Sequence, residues 1–313
     1  MDGTTRYRTR KLITTAALAA TATLAAALPA AAAPADAGAA SGQAQHRAVI
    51  PDSKISVQLF NFFYYIGFGQ DAAAQGRQAQ VLSALSDAGY RNVEPVDYTG
   101  FQGLSAQEYR ALLDKNHLKA SALHTSVSMA TTDAEWAQKL ETAKTIGAKY
   151  IGAGADPRTF TTPEEWVAFA QKIDHFGAMA RQQGIQYMVH LHNWEFTSVY
   201  GDQNAFQILV DNTSAKNVVF ELDLYWATAA GVDPLALVDD YSDRIALLHV
   251  KDMAQDGSIT TVGEGTIDFG AIFAEAGHGI RYYVVERDPA NDPSYDPFGP
   301  SLAGLDYLRD VRF

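Results

Sequence analysis

The feature that most narrows what this chain can fold into is a repeat. Short apolar runs begin near Ile55 (ISVQLFN), Tyr90 (YRNVEPV), Leu118 (LKASALH), Lys149 (KYIGAG), Ile185 (IQYMVHLH), Asn217 (NVVFELD), Arg244 (RIALLHV) and Arg281 (RYYVVER), with starts 35, 28, 31, 36, 32, 27 and 37 residues apart. Each run ends in a polar or small residue and is followed by a loop and a longer segment of helical periodicity. Helices are predicted over Ala72 to Ala88, Ala106 to Asn116, Asp133 to Ile146, Pro163 to Gln183, Gln203 to Asp211, Pro234 to Tyr241, Phe269 to Ala276 and Pro300 to Val311. Ser105 with Glu108 and Thr162 with Glu165 have capping-box spacing, and Pro163 and Pro234 suit a first turn. Eight evenly spaced βα units in one stretch predict an α/β chain folded as a single (β/α)8 (TIM) barrel over 55–313. A doubly wound nucleotide-binding sheet would call for a glycine-rich phosphate turn after the first strand, and that strand runs instead into Phe62, Phe63, Tyr64 and Tyr65.

Ahead of the barrel the composition changes. Arg6, Arg8, Arg10 and Lys11 precede an uncharged stretch from Leu12 to Leu28, then Pro29 and the A-x-A sequence Ala35-Asp36-Ala37. This order predicts a secretory signal peptide over 1–37, followed by a flexible lead-in over 38–54 and a secreted protein. Seventeen residues from 12 to 28 are short for a span, so no stable membrane anchor is expected. Removing 1–37 takes four basic and two acidic residues from the 24 and 36 of the full chain, and the net charge moves from −12 to −14. That balance leaves no basic face for nucleic acid, whose binding rests on phosphate neutralisation. The chain has no cysteine. Any metal must therefore be held by His, Asp and Glu.

In a (β/α)8 barrel the chemistry sits at the carboxyl ends of the strands, and this sequence places its unusual residues there. The second strand ends with Glu94, the third with His124, the fifth with His190 and His192, the sixth with Glu221 and Asp223, the seventh with His249 and Lys251, the eighth with Glu286 and Asp288. Side chains two apart on a strand share a face, so four successive strands aim such groups at one place. Taken singly, His124 reads as a packed, hydrogen-bonded histidine and Glu221 as a structural ion pair or an outward-facing group. Asp223, His249 and Glu286 with a strand-five histidine suit one divalent ion, Mn²⁺, Zn²⁺ or Co²⁺. Phe62, Tyr64, Tyr98, Trp194 and Trp226 lie in or near loops at the same end, where a sugar ring could stack.

At these residues the sequence resembles the xylose isomerase-like TIM barrels, the sugar phosphate isomerase/epimerase superfamily. The resemblance runs from Ile55 onward and is carried by HLHNWEF (His190 to Phe196), ELDLYWATAAGVDP (Glu221 to Pro234), RIALLHVKDM (Arg244 to Met253), VGEGTIDF (Val262 to Phe269) and YYVVERD (Tyr282 to Asp288). It implies one metal held by Glu, Asp, His and Glu from four strands, of which Asp223, His249 and Glu286 match the last three. At the first position this chain has an H-x-H-x-x-E-F variant, which leaves the fourth ligand open among His190, His192 and Glu195. The implied chemistry is proton abstraction next to a carbonyl through a metal-stabilised enediolate. Glu286 is then the first candidate base, with His192 or Glu195 as acid, Lys251 as oxyanion partner and Glu94 as a further acid/base candidate.

Export and acidity point to a neutral sugar or keto-sugar as the small-molecule substrate. The leading expectation is a metal-dependent isomerase or epimerase. A lyase or hydratase on 3-keto-glycosides uses the same enolate chemistry and is the close alternative; a non-catalytic carbohydrate-binding barrel is the alternative of another class. The DNA-cleaving metal hydrolases of the superfamily need a basic groove that the charge balance does not provide. The sequence leaves the oligomeric state open.

Overall fold

The computed structural model describes residues 48–155, 159–289 and 295–313. The expected signal peptide and the lead-in as far as residue 47 lie outside the described residues. Eight parallel strands form the barrel: β1 (Ile55–Val57), β2 (Asn92–Val93), β3 (Lys119–Ala120 and, past Ser121, Ala122–His124), β4 (Tyr150–Gly152), β5 (Gln186–Leu191), β6 (Val218–Asp223), β7 (Ile245–Val250) and β8 (Tyr282–Val285). Each starts within two residues of the apolar run that predicted it. β3 through β8 and β1 pair in the order β1-β8-β7-β6-β5-β4-β3. The ring closes through β2, which pairs with β3 at Asn92 and Val93 and bridges β1 through Gln58 and Glu94. β2 is short because Pro95 has no N–H to give the ladder.

Among the described residues, eight helices of seven or more residues surround the ring: α1 (Ala72–Ala88), α2 (Ala106–Lys115), α3 (Asp133–Ile146), α4 (Pro163–Gln182), α5 (Ala205–Asp211), α6 (Pro234–Asp240), α7 (Phe269–Ala276) and α8 (Phe298–Asp310). Capping boxes close the amino ends of α2 and α4 at Ser105 and Thr162, as the spacing predicts, and a third closes α3 at Thr132 with Glu135. Two starts differ from expectation. Gln203–Asn204 pairs antiparallel with Val199–Tyr200, so α5 begins only at Ala205. α8 begins two residues before Pro300, which falls in the first turn where a missing N–H is harmless. No described helix is long and apolar enough to cross a membrane.

The period of two sorts the strand residues into an outer and an inner set. Outward, Tyr187, Val189, Leu191, Phe220, Leu222, Leu248 and Val250 pack under the helices with Trp136, Trp166 and Phe176. Each such side chain taken fully from water contributes roughly 1.5–3 kcal/mol. Inward, Ala122, Met188, Val219 and Leu247 form a small apolar floor. Two residues further along the same strands come His124, His190, Glu221 and His249, and after them His192, Asp223 and Lys251. The barrel interior therefore turns from apolar to ligand-type toward its carboxyl end. Within the expected lead-in, Ala48 exchanges backbone hydrogen bonds with Phe313 and Ile50 is buried.

Candidate active site

The strand ends surround a cavity of about 240 Å³, lined by His124, His190, His192, Lys251, Glu286 and Asp288 together with Gln58, Val96, Gly154 and the aromatics Phe60, Tyr98, Trp194 and Trp226. Beneath it lies a polar network with almost no access to water. Glu221 Oε2 stands 2.9 Å from His124 Nε2, 3.1 Å from His190 Nδ1 and 3.2 Å from His249 Nε2. Glu94 Oε1 accepts from Gln58 Nε2 at 2.8 Å and lies 2.8 Å from His249 Nε2 and 2.9 Å from His124 Nε2. On their other edges His190 turns Nε2 toward Asp223 Oδ2, at 3.8 Å, and His249 turns Nδ1 toward Glu286 Oε2, at 2.7 Å. The Lys251 ammonium lies 2.9 Å from Asp223, 2.7 Å from Glu286 and 2.9 Å from Asp288. Its Nζ also sits 5.6 Å from the centre of the Trp226 ring.

Proton affinities follow from this crowding. Burial disfavours charge on His124 and His249, but the carboxylates around them outweigh it, lifting His124 to about 9 and His249 well above the usual histidine range. His190 is pushed down to about 3 by burial and by His249, and His192 well down by burial and by His190, so both are neutral. Burial alone would raise Glu221 and Glu286; His249 beside the first, and Lys251 and His249 beside the second, hold both well below the carboxylate range. Asp223 is lifted to about 6 by burial against the pull of Lys251.

His190, Asp223, His249 and Glu286 can each offer one ligand atom, all within 4.8 Å of one another. Bonds of about 2.0–2.2 Å place opposite ligands about 4 Å apart, so one divalent ion fits with a small contraction. The donor set also fits in its outer layer. A ligating histidine donates its other N–H to a carboxylate, which fixes the tautomer, and Glu221 and Glu94 stand behind His190 and His249 in that position. His124, His190, Glu221 and His249 satisfy the same spacing. That second set, however, would consume the carboxylate that orients His190.

Several sequence expectations are changed by this geometry. Glu221 faces inward at the centre of the network, on the same face as Asp223, and the outward alternative is corrected. His124 is hydrogen-bonded, as expected, yet it also lines the cavity. Glu195 is fully buried and not among the cavity-lining residues; one carboxylate oxygen accepts from the His192 backbone N–H at 2.9 Å. It stands apart from both ligand-capable sets. Burial raises it to about 8. Glu94 is likewise fully buried and absent from the cavity lining, and it contacts the lining residues Gln58 and His124. Phe62, expected at the sugar-stacking end, is buried against Phe298 with ring centres 5.1 Å apart. Asp288, expected with Glu286 at the end of the eighth strand, lines the cavity, and so does Gln58, a polar residue at the end of the first strand that the sequence pattern did not single out.

His192 stacks on Trp194 with ring centres 4.0 Å apart and planes 18° apart, and its Nδ1 is buried without a partner among the described residues. Gly154 makes room for that ring, since a Cβ there would lie 2.7 Å from His192 Nδ1 and Cε1. The cavity thus presents carboxylates on its β8 side and a neutral imidazole on its β5 side.

Comparison with known proteins agrees with this architecture. The sequence profile of the family described as xylose isomerase-like TIM barrel matches residues 82–310. An inosose dehydratase of Lacticaseibacillus casei is 26% identical over 277 residues, covering 73% of this chain and 88% of that protein. Among solved structures, a sugar phosphate isomerase/epimerase from Parabacteroides distasonis superposes with a TM-score of 0.66 at 22% identity, over 82% of this chain and 94% of the other. A probable 3-DHS dehydratase from Bacillus anthracis superposes with a TM-score of 0.61 at 14% identity, over 82% and 98%. The two structural likenesses establish the fold alone.

Proposed function

The chain belongs to the xylose isomerase-like TIM-barrel family, and on that premise we propose that it is a divalent-metal-dependent lyase acting on a neutral keto-sugar. The carrying observation is the asymmetry of the cavity walls. Two-way proton exchange at one carbon calls for an acid/base group of matched strength on each face. Here Glu286 faces a strand-five wall whose titratable groups are the neutral His190 and His192. A base on one side and a weak hydrogen-bond donor on the other suit elimination, in which the proton leaves from one carbon and an oxygen substituent departs from the next.

An ion held by His190, Asp223, His249 and Glu286 would supply Lewis-acid polarisation of the substrate carbonyl. Glu286, kept ionised by Lys251 and His249, takes the proton from the carbon next to that carbonyl. The electron pair forms the new double bond and the C–O bond at the following carbon breaks. His192 donates a hydrogen bond to the departing oxygen, as a neutral imidazole can. Lys251 stabilises negative charge arising on the carbonyl oxygen. The similarity to an inosose dehydratase supports a dehydration-type reaction, with hydroxyl as the leaving group; the same elimination expels a glycosidic oxygen when the substrate is a keto-glycoside.

Epimerisation is the second reading, favoured by the placement of Glu286 and His192 at the ends of different strands around one cavity. Proton NMR in D₂O, with neutral keto-sugars and added Mn²⁺, Co²⁺ or Zn²⁺, separates the two. An unsaturated product supports the lyase; deuterium entering an otherwise intact sugar replaces it with the epimerase. A purified protein with no affinity for any divalent ion would overturn both and leave a carbohydrate-binding barrel. Export through the leader over 1–37 belongs to the same proposal, and N-terminal sequencing of the secreted protein tests it.

A further inference from the structure

The loop after β1 carries a chemistry that proton transfer does not use. Residues 60–70, FNFFYYIGFGQ, contain no Asp, Glu, Lys, Arg or His in a chain of net charge −12. Phe60 and Tyr98 are part of the cavity wall. From Phe60 the rings continue outward: Phe60 to Phe63 at 5.0 Å, Phe63 to Phe68 at 4.6 Å and Tyr64 to Phe68 at 6.2 Å between centres. Tyr64, Tyr65, Phe68 and Tyr98 are 43%, 40%, 62% and 48% exposed, and they make up four of the seven large exposed hydrophobics among the described residues. Exposed aromatic side chains gathered on two neighbouring loops suit a binding surface.

The surface is held in place. Gln102 and Phe101 have φ of 55° and 51°, a left-handed backbone that is unfavourable for residues other than glycine. The Gln102 amide offsets it by donating to Thr99 Oγ1 at 2.6 Å and Gly67 O at 3.4 Å, and Gln70 donates to Thr99 O at 3.0 Å. These bonds tie the loop after β2, with Tyr98, to the loop after β1. They also engage the side-chain amide nitrogens of Gln70 and Gln102.

We propose that these two loops form a subsite for the leaving group of the substrate, and that this group is an uncharged, flat, apolar one: the substrate is an aryl keto-glycoside, with its keto-sugar ring in the cavity and its aryl ring on Tyr64, Phe68 and Tyr98. The inference rests on the lyase reading and names its substrate class. Proton abstraction next to the ketone and cleavage of the glycosidic C–O bond release the aryl alcohol and an unsaturated keto-sugar, so atoms and electrons balance without a co-reactant. Aryl rings meet such a platform edge-on or offset, and such contacts add to what burial of the ring alone supplies.

The test compares the Mn²⁺-loaded enzyme with its Tyr64→Ala/Phe68→Ala variant, both positions being solvent-facing. Phenyl, methyl and glucosyl 3-keto-glucosides serve as substrates. Leaving-group reactivity is the same for both proteins and cancels in their ratio. The expected result is a KM raised at least fivefold for the phenyl glycoside, with kcat nearly unchanged and the methyl glycoside unaffected. Equal effects on all three, no effect, or a loss confined to the glucosyl substrate would overturn the proposal. So would a fall in sedimentation mass with unchanged phenyl kinetics, which would assign the patch to a second copy of the chain. If neither protein eliminates any substrate, the lyase reading fails by itself. Calorimetric binding of unreactive phenyl β-glucoside then decides the subsite: binding weakened in the variant keeps it, and absent or unchanged binding removes it.

Discussion

Glu221 Oε2 lies 3.1 Å from His190 Nδ1, and this contact selects the nitrogen that His190 can turn toward an ion. With Nδ1–H directed at a fully buried carboxylate, the Nε2 lone pair is left to face Asp223. Where the resemblance calls for a strand-five carboxylate ligand, this chain has an imidazole with a carboxylate one layer behind it. Glu221→Gln keeps the shape and removes the charge. Loss of such an outer-layer partner costs roughly 10–100-fold in metal affinity, and titration calorimetry with Mn²⁺ or Co²⁺ reads it. An unchanged Kd would place the ion elsewhere.

Two overlapping sets of four ligand-capable residues share His190 and His249, so His249→Ala should abolish stoichiometric metal under either. His124 separates them. If the ion sits among His190, Asp223, His249 and Glu286, His124→Ala retains one equivalent with a modest loss of affinity. Metal analysis after gel filtration reads the outcome, and loss of the ion in His124→Ala would shift the site to the inner set.

The barrel was legible because its strands obey a period of two and its helices begin at caps. Three features were not. Pro95 sits inside the apolar run YRNVEPV and cuts β2 to Asn92–Val93. The strand itself carries little signal, and closure depends on the Gln58 to Glu94 bridge, which is long-range. Glu221 shares a face with Asp223 by spacing alone, but its importance depends on three imidazoles from β3, β5 and β7. No local pattern reports that convergence. Glu195 looked equivalent to its neighbours because H-x-H-x-x-E gives residue types without depth. The chain turns into the short helix Trp194–Thr197 directly after His192, which carries Glu195 behind the wall instead of into the cavity.

Glu195 makes a prediction about stability and pH. Burial raises its folded pKa from 4.5 to about 8. Below pH 4.5 the group is protonated in both states and contributes no pH dependence. Between that pH and about 8 the unfolded chain ionises while the folded one holds its proton, so stability falls as pH rises. Above about 8 the full penalty is present, of order a few kcal/mol. Glu195→Gln removes the titrating group. Its Tm relative to the wild type should climb steadily from pH 5 to pH 8.5, and a parallel pair of Tm curves would show that Glu195 is ionised in the folded protein throughout.

Gly154→Ala separates the acid side of the cavity from the metal side. The added Cβ would lie 2.7 Å from His192 Nδ1 and Cε1 and 3.0 Å from the His190 carbonyl oxygen. The ring, the freer of these neighbours, must leave its stack on Trp194. Overpacking of this kind costs about 1–3 kcal/mol, so a modest fall in Tm accompanies the change. If His192 serves the departing oxygen, kcat/KM should drop at least tenfold while the metal content stays at its wild-type value, because the three atoms nearest the new methyl group belong to the His192 ring and the His190 backbone and not to a proposed ligand side chain. His192→Ala in the Gly154→Ala background relieves the clash and should restore Tm without restoring activity. The coupling energy of that cycle distinguishes a displaced functional imidazole from general damage: additive losses in both Tm and kcat/KM would mean that Gly154 and His192 act independently and that the room left by the glycine serves something else.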